Sequence, residues 1–192
     1  MIWLQIIYPI LMILWLVFSL KLNAWASTQP YHHSTRIWLD DRVPFISSFA
    51  FIYFSAYVLG NIGYFILFFD QAFYRVFLGQ ASLFVAAMAC YRLFPCRVNR
   101  NETLEVKDLS TRLIALFQSQ SKPYNSFPSM HVGFSVFHAL IVLRYGGINL
   151  GIALLIWAGL VAVSTLLTKQ HHLIDVFAGG GLALLIFWGI QL

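Results

Sequence analysis

Residues 149–168, NLGIALLIWAGLVAVSTLLT, form a stretch without a charged side chain, and a second apolar stretch follows at residues 171–192. The hydrocarbon core of a bilayer is about 30 Å thick and requires roughly 20 apolar residues of helix. Each stretch is therefore long enough to cross a membrane as a single helix. The junction between them, KQHHLID at residues 169–175, is mostly polar and would lie at the membrane surface.

The same criterion identifies six apolar stretches along the whole chain. They lie at residues 1–20, 45–69, 76–94, 128–144, 149–168 and 171–192. We therefore expect an all-α integral membrane protein, built as a bundle of six transmembrane helices. The two long polar loops, residues 21–44 and 95–127, would then lie on one face of the membrane, so an active site is expected at that interface.

The composition excludes several other classes of protein. Of the 192 residues, 60% are hydrophobic and 10% are charged, whereas soluble domains are about half apolar and a quarter charged. Disordered and collagen-like chains need polar or repetitive compositions. The net charge of +5 favours an anionic headgroup or substrate over nucleic acid. Cys90 and Cys96 have no spacing typical of a disulfide framework.

The first apolar stretch has a second interpretation, a cleaved signal peptide, because Ala24-Trp25-Ala26 resembles a signal-peptidase site. However, no Lys or Arg precedes the apolar core, and that core is longer than the roughly 7 to 15 residues usual for a signal peptide. We therefore expect a retained transmembrane helix.

A further helix is predicted inside the second long loop. Asp108 is a suitable N-cap, and Leu109, Leu113, Leu116 and Phe117 follow with helical spacing. This helix could lie in the headgroup plane or pack on the bundle, and the sequence favours neither.

Ionisable residues at the edges of the predicted spans are the first candidates for chemistry, because such groups are costly to place in lipid. His131 lies in the first turn of the fourth span, and His171 and His172 open the sixth. Asp175 is four residues after His171, so both side chains share one helix face. A carboxylate there can hold the Nδ1 proton of His171 and expose Nε2. The pair therefore has the character of an activated base or nucleophile.

If the spans alternate across the membrane, His131 faces the His171 and Asp175 pair. Cationic side chains surround this position, and they are Arg97, Arg100, Lys122 and Lys169. Ser129 and the backbone N–H groups that open the fourth span add anion-binding groups. The cluster suits a phosphate. Alternatively, the arginines anchor lipid headgroups and Lys169 extends to the membrane surface.

Other polar residues are expected to have no catalytic role. His138, two turns after His131, is expected to be a hydrogen-bonded packing residue. His32, His33, Asp40 and Asp41 lack any metal-ligand spacing. We expect neither a metal nor another cofactor.

Two separate motifs stand at the openings of the fourth and sixth predicted spans. One is NSFPSMH at residues 125–131, and the other runs from Ser164 through His171 to Asp175. Together they resemble the second and third signature motifs of the type 2 phosphatidic acid phosphatase (PAP2) superfamily, over about residues 90–180.

The resemblance implies a role for each catalytic residue. His131 would protonate the leaving group, and His171 would be the nucleophile that becomes phosphorylated, oriented by Asp175. Asn125 and Ser129 would join the four cations in binding the phosphate. The substrate would be a phosphorylated membrane lipid.

The resemblance also implies an organisation of the chain. A transmembrane helix and polar loop at residues 1–44 would precede a catalytic region at residues 45–192, within one domain overall.

The sequence departs from the phosphatases of this superfamily at two positions. Their first motif contains Lys, six residues and Arg-Pro, whereas residues 91–97 read YRLFPCR, and Thr165 stands where they have Arg. The pattern is closer to the branch of inositol phosphorylceramide and sphingomyelin synthases, as is DRVPF at residues 41–45. This favours transfer of an inositolphosphoryl-type group to an alcohol acceptor, with a plain lipid phosphate or polyprenyl diphosphate phosphatase as the alternative.

Two more distant interpretations remain. A rhomboid-type intramembrane protease could use Ser135 with His171 or His172, but Val136 replaces the second Gly of that motif. A non-enzymatic lipid-binding bundle would leave the facing histidines unexplained.

Two arguments about which side of the membrane carries the site disagree. Of the 12 Lys and Arg residues, only Arg75 and Arg144 fall on the face opposite the site, so the positive-inside rule places the site in the cytoplasm. The resemblance implies an extracytoplasmic or lumenal site, and we prefer it because a phosphate-binding face is basic for its substrate.

Overall fold

The computed structural model describes residues 2–100 and 104–191, and within these ranges the regular elements are helices. They are α1 Ile2–Ala26, α2 Ala50–Leu59, α3 Ile62–Ile66, α4 Phe73–Leu93, α5 Leu109–Gln120, α6 Met130–Tyr145, α7 Ile148–Leu167 and α8 Leu173–Gly189, with a 3₁₀ turn at Ser47–Phe49. The extended segments form no strand in the described residues, only a bridge between His33 and Cys96. The all-α prediction is confirmed for this part of the chain. Residues 1 and 192, the ends of the first and last predicted spans, lie outside it.

Three of the helices, α1, α4 and α7, are long and apolar enough to cross a membrane. The other predicted spans correspond to shorter apolar helices at Ser47–Leu59, Met130–Tyr145 and Leu173–Gly189. The outer faces carry large apolar side chains, such as Trp3 on α1, which is 75% exposed, and Leu185 on α8, which is 73% exposed. Unpartnered apolar faces of this extent indicate a membrane protein.

The predicted span at residues 45–69 is divided in the structure. After the 3₁₀ turn, α2 ends at Leu59, and α3 begins only at Ile62. The backbone N–H of Gly63 donates to Nδ1 of the buried His138, at 3.0 Å. A side chain at Gly63 would collide with that ring, since its Cβ would lie 2.7 Å from Nδ1. The close approach of α3 to His138 therefore accompanies the interruption of the helix.

His138 is a packing residue, as predicted. Because its Nδ1 accepts the Gly63 N–H, Nε2 carries the ring proton and donates to Oε1 of the buried Gln80, at 2.8 Å. Both ring nitrogens have hydrogen-bond partners, so the residue joins α3, α4 and α6 in the core.

The central element is α6, which packs against α2, α3, α4, α7 and α8. Buried residues occur on every side of it, including Phe137, Ile141 and Val142. A helix buried all round must lie in the middle of a bundle. Its first turn carries His131, so this candidate residue is built on the most enclosed helix of the molecule.

The first helix continues beyond the predicted end at Leu20. Its extra turns reach Ala26 and contain Asn23, which is buried. The Asn23 side chain donates to the Lys122 carbonyl at 2.8 Å and accepts from the Lys122 N–H at 2.9 Å. The second long loop is thereby fixed to the end of α1.

The helix predicted after Asp108 is confirmed as α5. The Asp108 carboxylate accepts from the Thr111 N–H at 2.8 Å and caps the helix. On one side Ile114 is buried, and the Phe117 ring meets the Tyr53 ring edge-on, 5.5 Å between centroids. Thus α5 packs on α2, while Leu116 on its other side is exposed.

The start of α6 lies directly against α8. The Ser129 N–H donates to the Asp175 carbonyl at 2.9 Å. At Gly179 a Cβ would stand 2.1 Å from the Ser129 carbonyl oxygen, closer than atoms can approach. Only glycine therefore permits this contact, and it sets the distance between the segments that carry His131 and Asp175.

We predict that Gly179→Ala destabilises the protein by about 1 to 3 kcal/mol, the usual cost of overpacking a filled site. Its activity should fall by more than the loss of folded protein accounts for. Gly181→Ala is the matched control, because nothing lies within 4 Å of a Cβ at that position and alanine has the better helix propensity. Thermal unfolding in detergent measures both. Equal melting temperatures for the two variants would contradict the close contact.

Candidate active site

His171 is held by a main-chain hydrogen bond. Its Nδ1 lies 2.9 Å from the carbonyl oxygen of Ser126. A carbonyl only accepts, so Nδ1 carries the proton and Nε2 keeps its lone pair. The side chain is 6% exposed, and it lines the two cavities described below. The local structure therefore selects the tautomer that a nucleophilic Nε2 requires.

The position of Asp175 differs from expectation in one respect. It lies on the same side as His171, but its Oδ2 is 3.6 Å from Nδ1, beyond hydrogen-bond distance. The Ser126 carbonyl occupies the position that the carboxylate was expected to take. Asp175 instead accepts the His172 backbone N–H at 2.9 Å. It is fully buried, so it places a negative charge behind the imidazole without sharing its proton.

His131 meets His171 in the structure. Its Nδ1 lies 3.3 Å from Nε2 of His171, and its Nε2 lies 3.4 Å from the Tyr57 hydroxyl. The Tyr53 ring covers the imidazole, with 4.6 Å between centroids. The separation of the two nitrogens is a hydrogen-bond distance, so a phosphoryl group can lie between them only after the rings move apart.

Two cavities meet at His171. The first, of about 340 Å³, is largely apolar and extends along α1 from Trp15 to the two histidines. The second, of about 440 Å³, is lined mostly by polar and charged residues of the loops. His171 and Arg100 line both cavities, whereas His131 lines only the apolar one.

Arg100 is the predicted cation that lies deepest in the site. One of its guanidinium nitrogens donates to the Ser121 carbonyl, and the group stands over the Phe117 ring. Burial lowers the pKa of Arg100, while Tyr53 and Tyr57 oppose this. Its Nε is buried and has no hydrogen-bond partner in the described residues. A buried donor without a partner is costly, so this nitrogen is a candidate to bind an anion that enters the cavity.

Two further predicted ligands line the apolar cavity, Lys122 and Asn125. Lys122 is exposed, and its Nζ donates to the Ser27 hydroxyl at 2.9 Å. The Asn125 amide donates to the Ser19 carbonyl at 2.8 Å, while its Oδ1 is buried without a partner in the described residues. The Asn125 side chain therefore joins the site to α1, and the Lys122 side chain joins it to the residue directly after α1.

Three of the predicted ligands do not line the apolar cavity. Arg97 is exposed and lines neither cavity. Ser129 is fully buried, and its N–H is bonded to the Asp175 carbonyl. Lys169 lines the polar cavity, but its ammonium donates to the carbonyls of Asp40 and Val43. Burial lowers the pKa of Lys169, while nearby carboxylates oppose this. Its main contacts therefore join the first loop to the α7–α8 junction.

Both motifs lie within a region of the chain that matches a known protein family. The model of the PAP2 superfamily matches residues 20–189. The chain belongs to the PAP2 superfamily. No curated protein and no solved structure matches the chain. Members of the superfamily are phosphatases acting on phosphorylated lipids, typically without a metal, so the chain is an enzyme of phosphatase type. This excludes the non-enzymatic bundle.

The described residues contain no group of three or more His, Cys, Asp or Glu that could hold a metal. Nε2 of His32 donates to the Ala26 carbonyl at 2.7 Å, and the His32 ring lies 4.5 Å from the Tyr124 ring between centroids. Asp40 accepts the N–H groups of Ile37 and Leu173. These contacts order the first loop, and the Asp40 bond to Leu173 joins it to the start of α8.

Sequence reasoning missed Thr35, which belongs to this PAP2-type site. Its hydroxyl donates to Oδ1 of Asp175 at 2.6 Å. Because the single hydroxyl proton is used there, the oxygen accepts from Nδ1 of His172, at 3.0 Å. Burial lowers the pKa of His172, although Asp175 opposes this. Thr35 lies in a polar loop without periodicity, and no local pattern distinguishes it from its neighbours.

Tyr53, Tyr57 and Gln170 were also missed. All three line the apolar cavity. The two tyrosines are four residues apart and share one face of α2, and Gln170 directly precedes His171. The tyrosine spacing and the polar junction are signals that could have identified them.

We predict that Thr35→Val lowers kcat about 10-fold or more with little change in KM, because a hydrogen bond to a charged group is worth roughly 1.5 to 3 kcal/mol. Thr35→Ser keeps the hydroxyl and should retain most of the activity. Steady-state kinetics on a lipid phosphate measure both variants. If valine and serine behave alike, Thr35 does not act through Asp175.

Proposed function

We propose that the chain is a membrane-embedded lipid phosphatase or phosphotransferase that works through a phosphohistidine on His171. The observation that carries the proposal is the fixed tautomer of His171, whose Nε2 faces Nδ1 of His131 at 3.3 Å. A nucleophile and a proton donor aimed at one point are what a two-step displacement at phosphorus needs.

In the first step, the lipid phosphate enters between the two histidines. Nε2 of His171 attacks phosphorus in line with the bond to the leaving oxygen. The N–P bond forms as that P–O bond breaks, and His131, as the imidazolium, gives its proton to the leaving oxygen. The product is phosphohistidine and a lipid alcohol.

In the second step, water or another alcohol takes the place of the leaving group. Neutral His131 removes the proton of the incoming hydroxyl as its oxygen attacks phosphorus. The O–P bond forms, the N–P bond breaks, and His131 is again protonated. Each histidine returns to its starting state without a metal or other cofactor.

Electrostatic stabilisation would come from two directions. Phosphorylation places positive charge on the His171 imidazole, and the buried Asp175 carboxylate 3.6 Å away opposes it. The equatorial oxygens would be bound by Arg100, with Lys122 and Asn125 at the cavity wall. Fixed charges in a site with little water stabilise a charged transition state strongly. We expect no direct contact with the phosphate from the other three predicted ligands, Arg97, Ser129 and Lys169.

The placement in the membrane is part of the proposal. We propose six crossings, with the short helices α6 and α8 as the fourth and sixth, and the site on the extracytoplasmic or lumenal face. The N-terminal segment, residues 1–44, belongs to the same domain, since α1 lines the apolar cavity and Thr35 contacts Asp175. Ser135 is fully buried and lines neither cavity, which disfavours the protease alternative.

Transfer to an alcohol is favoured over hydrolysis. Thr165, in place of an arginine, is fully buried, and its hydroxyl donates to the Ala162 carbonyl. A dianionic monoester would therefore meet fewer cations here than in the phosphatases with both family motifs. The plain phosphatase of lipid phosphates or polyprenyl diphosphates is the second candidate, and the products formed with and without added lipid alcohols distinguish the two.

We predict a trapped phosphoenzyme that is stable in base and labile in acid, as expected of a phosphohistidine. The label should map to His171 and disappear in His171→Ala, with His138→Ala as a control that removes an imidazole outside the site. Rapid quench with a donor labelled in the phosphoryl group measures it. Label on serine or aspartate would overturn the proposal.

His131→Ala separates the two histidine roles within the same experiment. General acid catalysis is worth roughly 10² to 10⁴ in rate, and it matters most for a poor leaving group. This variant should still phosphorylate His171 from a donor with a good leaving group, such as a nitrophenyl ester. Equal losses for good and poor leaving groups would argue against the acid role.

A further inference from the structure

The hydrogen bonds of His171 decide which nitrogen of His131 carries a proton towards the reacting position. Nδ1 of His171 donates to the Ser126 carbonyl, so Nε2 of His171 has a lone pair and can only accept. Nδ1 of His131 lies 3.3 Å from that nitrogen and is therefore the donor of the pair. Nδ1 is thus the nitrogen of His131 that can give a proton to a leaving oxygen, and Nε2 lies on the other side of the ring.

This second nitrogen of His131 contacts a side chain of α2. Nε2 lies 3.4 Å from the Tyr57 hydroxyl, which is its hydrogen-bond partner among the described residues. A phenol oxygen accepts a hydrogen bond as well as donating one. The Tyr57 hydroxyl can therefore stay bonded to Nε2 whether or not that nitrogen carries a proton.

The packing of α2 on α6 holds Tyr57 beside His131. Gly60 follows Tyr57 by three residues, and Phe134 follows His131 by three. A Cβ at Gly60 would lie 3.0 Å from Cβ of Phe134, so the two segments approach closely one turn beyond the Tyr57 contact. The Tyr57 ring also meets the imidazole edge-on, with 5.5 Å between centroids. The Tyr57 hydroxyl is therefore placed by a close helix contact and not by a loop.

The proposed reaction needs one particular tautomer of His131. In the first step the imidazolium gives its Nδ1 proton to the leaving oxygen, and the proton on Nε2 stays. In the second step Nδ1 takes the proton of the incoming hydroxyl, so it must have a lone pair at that moment. Nε2–H needs an acceptor throughout, and the Tyr57 oxygen can provide it. Without that acceptor the single proton of neutral His131 can lie on Nδ1, and such a ring cannot be the base.

We infer that Tyr57 is a positioning residue that keeps a proton on Nε2 of His131, so that Nδ1 can give a proton in the first step and take one in the second. This inference rests on the proposed phosphohistidine route. Tyr57 would then do for His131 what the Ser126 carbonyl does for His171, since each fixes the tautomer of its histidine from the side opposite the phosphoryl group.

A rapid-quench experiment with labelled nitrophenyl phosphate separates the two steps in the full-length protein. Nitrophenolate leaves without an acid, so formation of the phosphoenzyme needs no proton from His131, whereas its decay needs neutral His131 as the base. Tyr57→Phe should therefore form the phosphoenzyme at the wild-type rate and lose it about 10-fold more slowly, the effect of one lost hydrogen bond. An unchanged decay rate, or formation slowed as much as decay, overturns the inference.

Tyr64→Phe is the matched control for this substitution. The Tyr64 hydroxyl donates to the Gln5 carbonyl at 3.3 Å and lines neither cavity. Removing it takes away one hydroxyl and one hydrogen bond outside the site, so both rates should stay within about twofold of wild type. Thermal unfolding in detergent compares the two variants, and similar melting temperatures would show that slower decay in Tyr57→Phe is not a loss of folded protein.

A double variant shows whether Tyr57 acts through His131. His131→Ala should by itself slow decay of the phosphoenzyme, and adding Tyr57→Phe should change the remaining rate less than about twofold, because residues that act through one another are not additive. A further 10-fold loss in the double variant overturns the inference while leaving the two histidine roles intact. Absence of a phosphoenzyme in the wild type with every donor overturns the proposed function itself.

Discussion

The hydrogen bond from His171 Nδ1 to the Ser126 carbonyl is the interaction on which the site depends. It decides which nitrogen of His171 carries the proton, and therefore which nitrogen faces the substrate. The carbonyl belongs to the segment before α6, whereas the imidazole belongs to the junction before α8. The same bond thus joins the two helix starts that carry the candidate chemistry and selects the reactive tautomer.

The helix contacts around this bond hold it in place. Gly179 allows the Ser129 backbone to lie against α8, and the Ser129 N–H reaches the Asp175 carbonyl. On the opposite side, two residues of the first loop bind the start of α8. The Thr35 hydroxyl donates to the Asp175 carboxylate, and the Asp40 carboxylate accepts the Leu173 N–H. The start of α8 is therefore enclosed by α6 and by a loop from the beginning of the chain. These contacts fix the Asp175 carboxylate beside the imidazole of His171, with Oδ2 3.6 Å from Nδ1.

Much of this arrangement could be predicted from the sequence, because it follows from periodicity and length. The apolar stretches mark the helices, Asp108 marks the start of α5, and the i, i+4 spacing places Asp175 on the side of His171. The break of the second predicted span was not predicted, and it is accompanied by a tertiary hydrogen bond between Gly63 and His138. The hydropathy of residues 45–69 contains no information about a hydrogen bond to a distant residue.

The same limit explains what was missed at the site. Ser126 acts through its carbonyl, which every residue has, and Thr35 acts through a contact 140 residues away in sequence. Neither leaves a local pattern. The cations were predicted from charge and proximity alone, so the sequence could not separate Arg100, which faces both cavities, from Arg97, which faces neither.

The stereochemical course at phosphorus tests the account most directly. A diester donor made chiral by one sulfur in place of a non-bridging oxygen would be transferred to a lipid alcohol, or to heavy-oxygen water if water is the acceptor. Two in-line displacements, one onto His171 and one from it, predict net retention of configuration. Net inversion would mean that the acceptor attacks the lipid directly, and it would contradict a covalent role for His171.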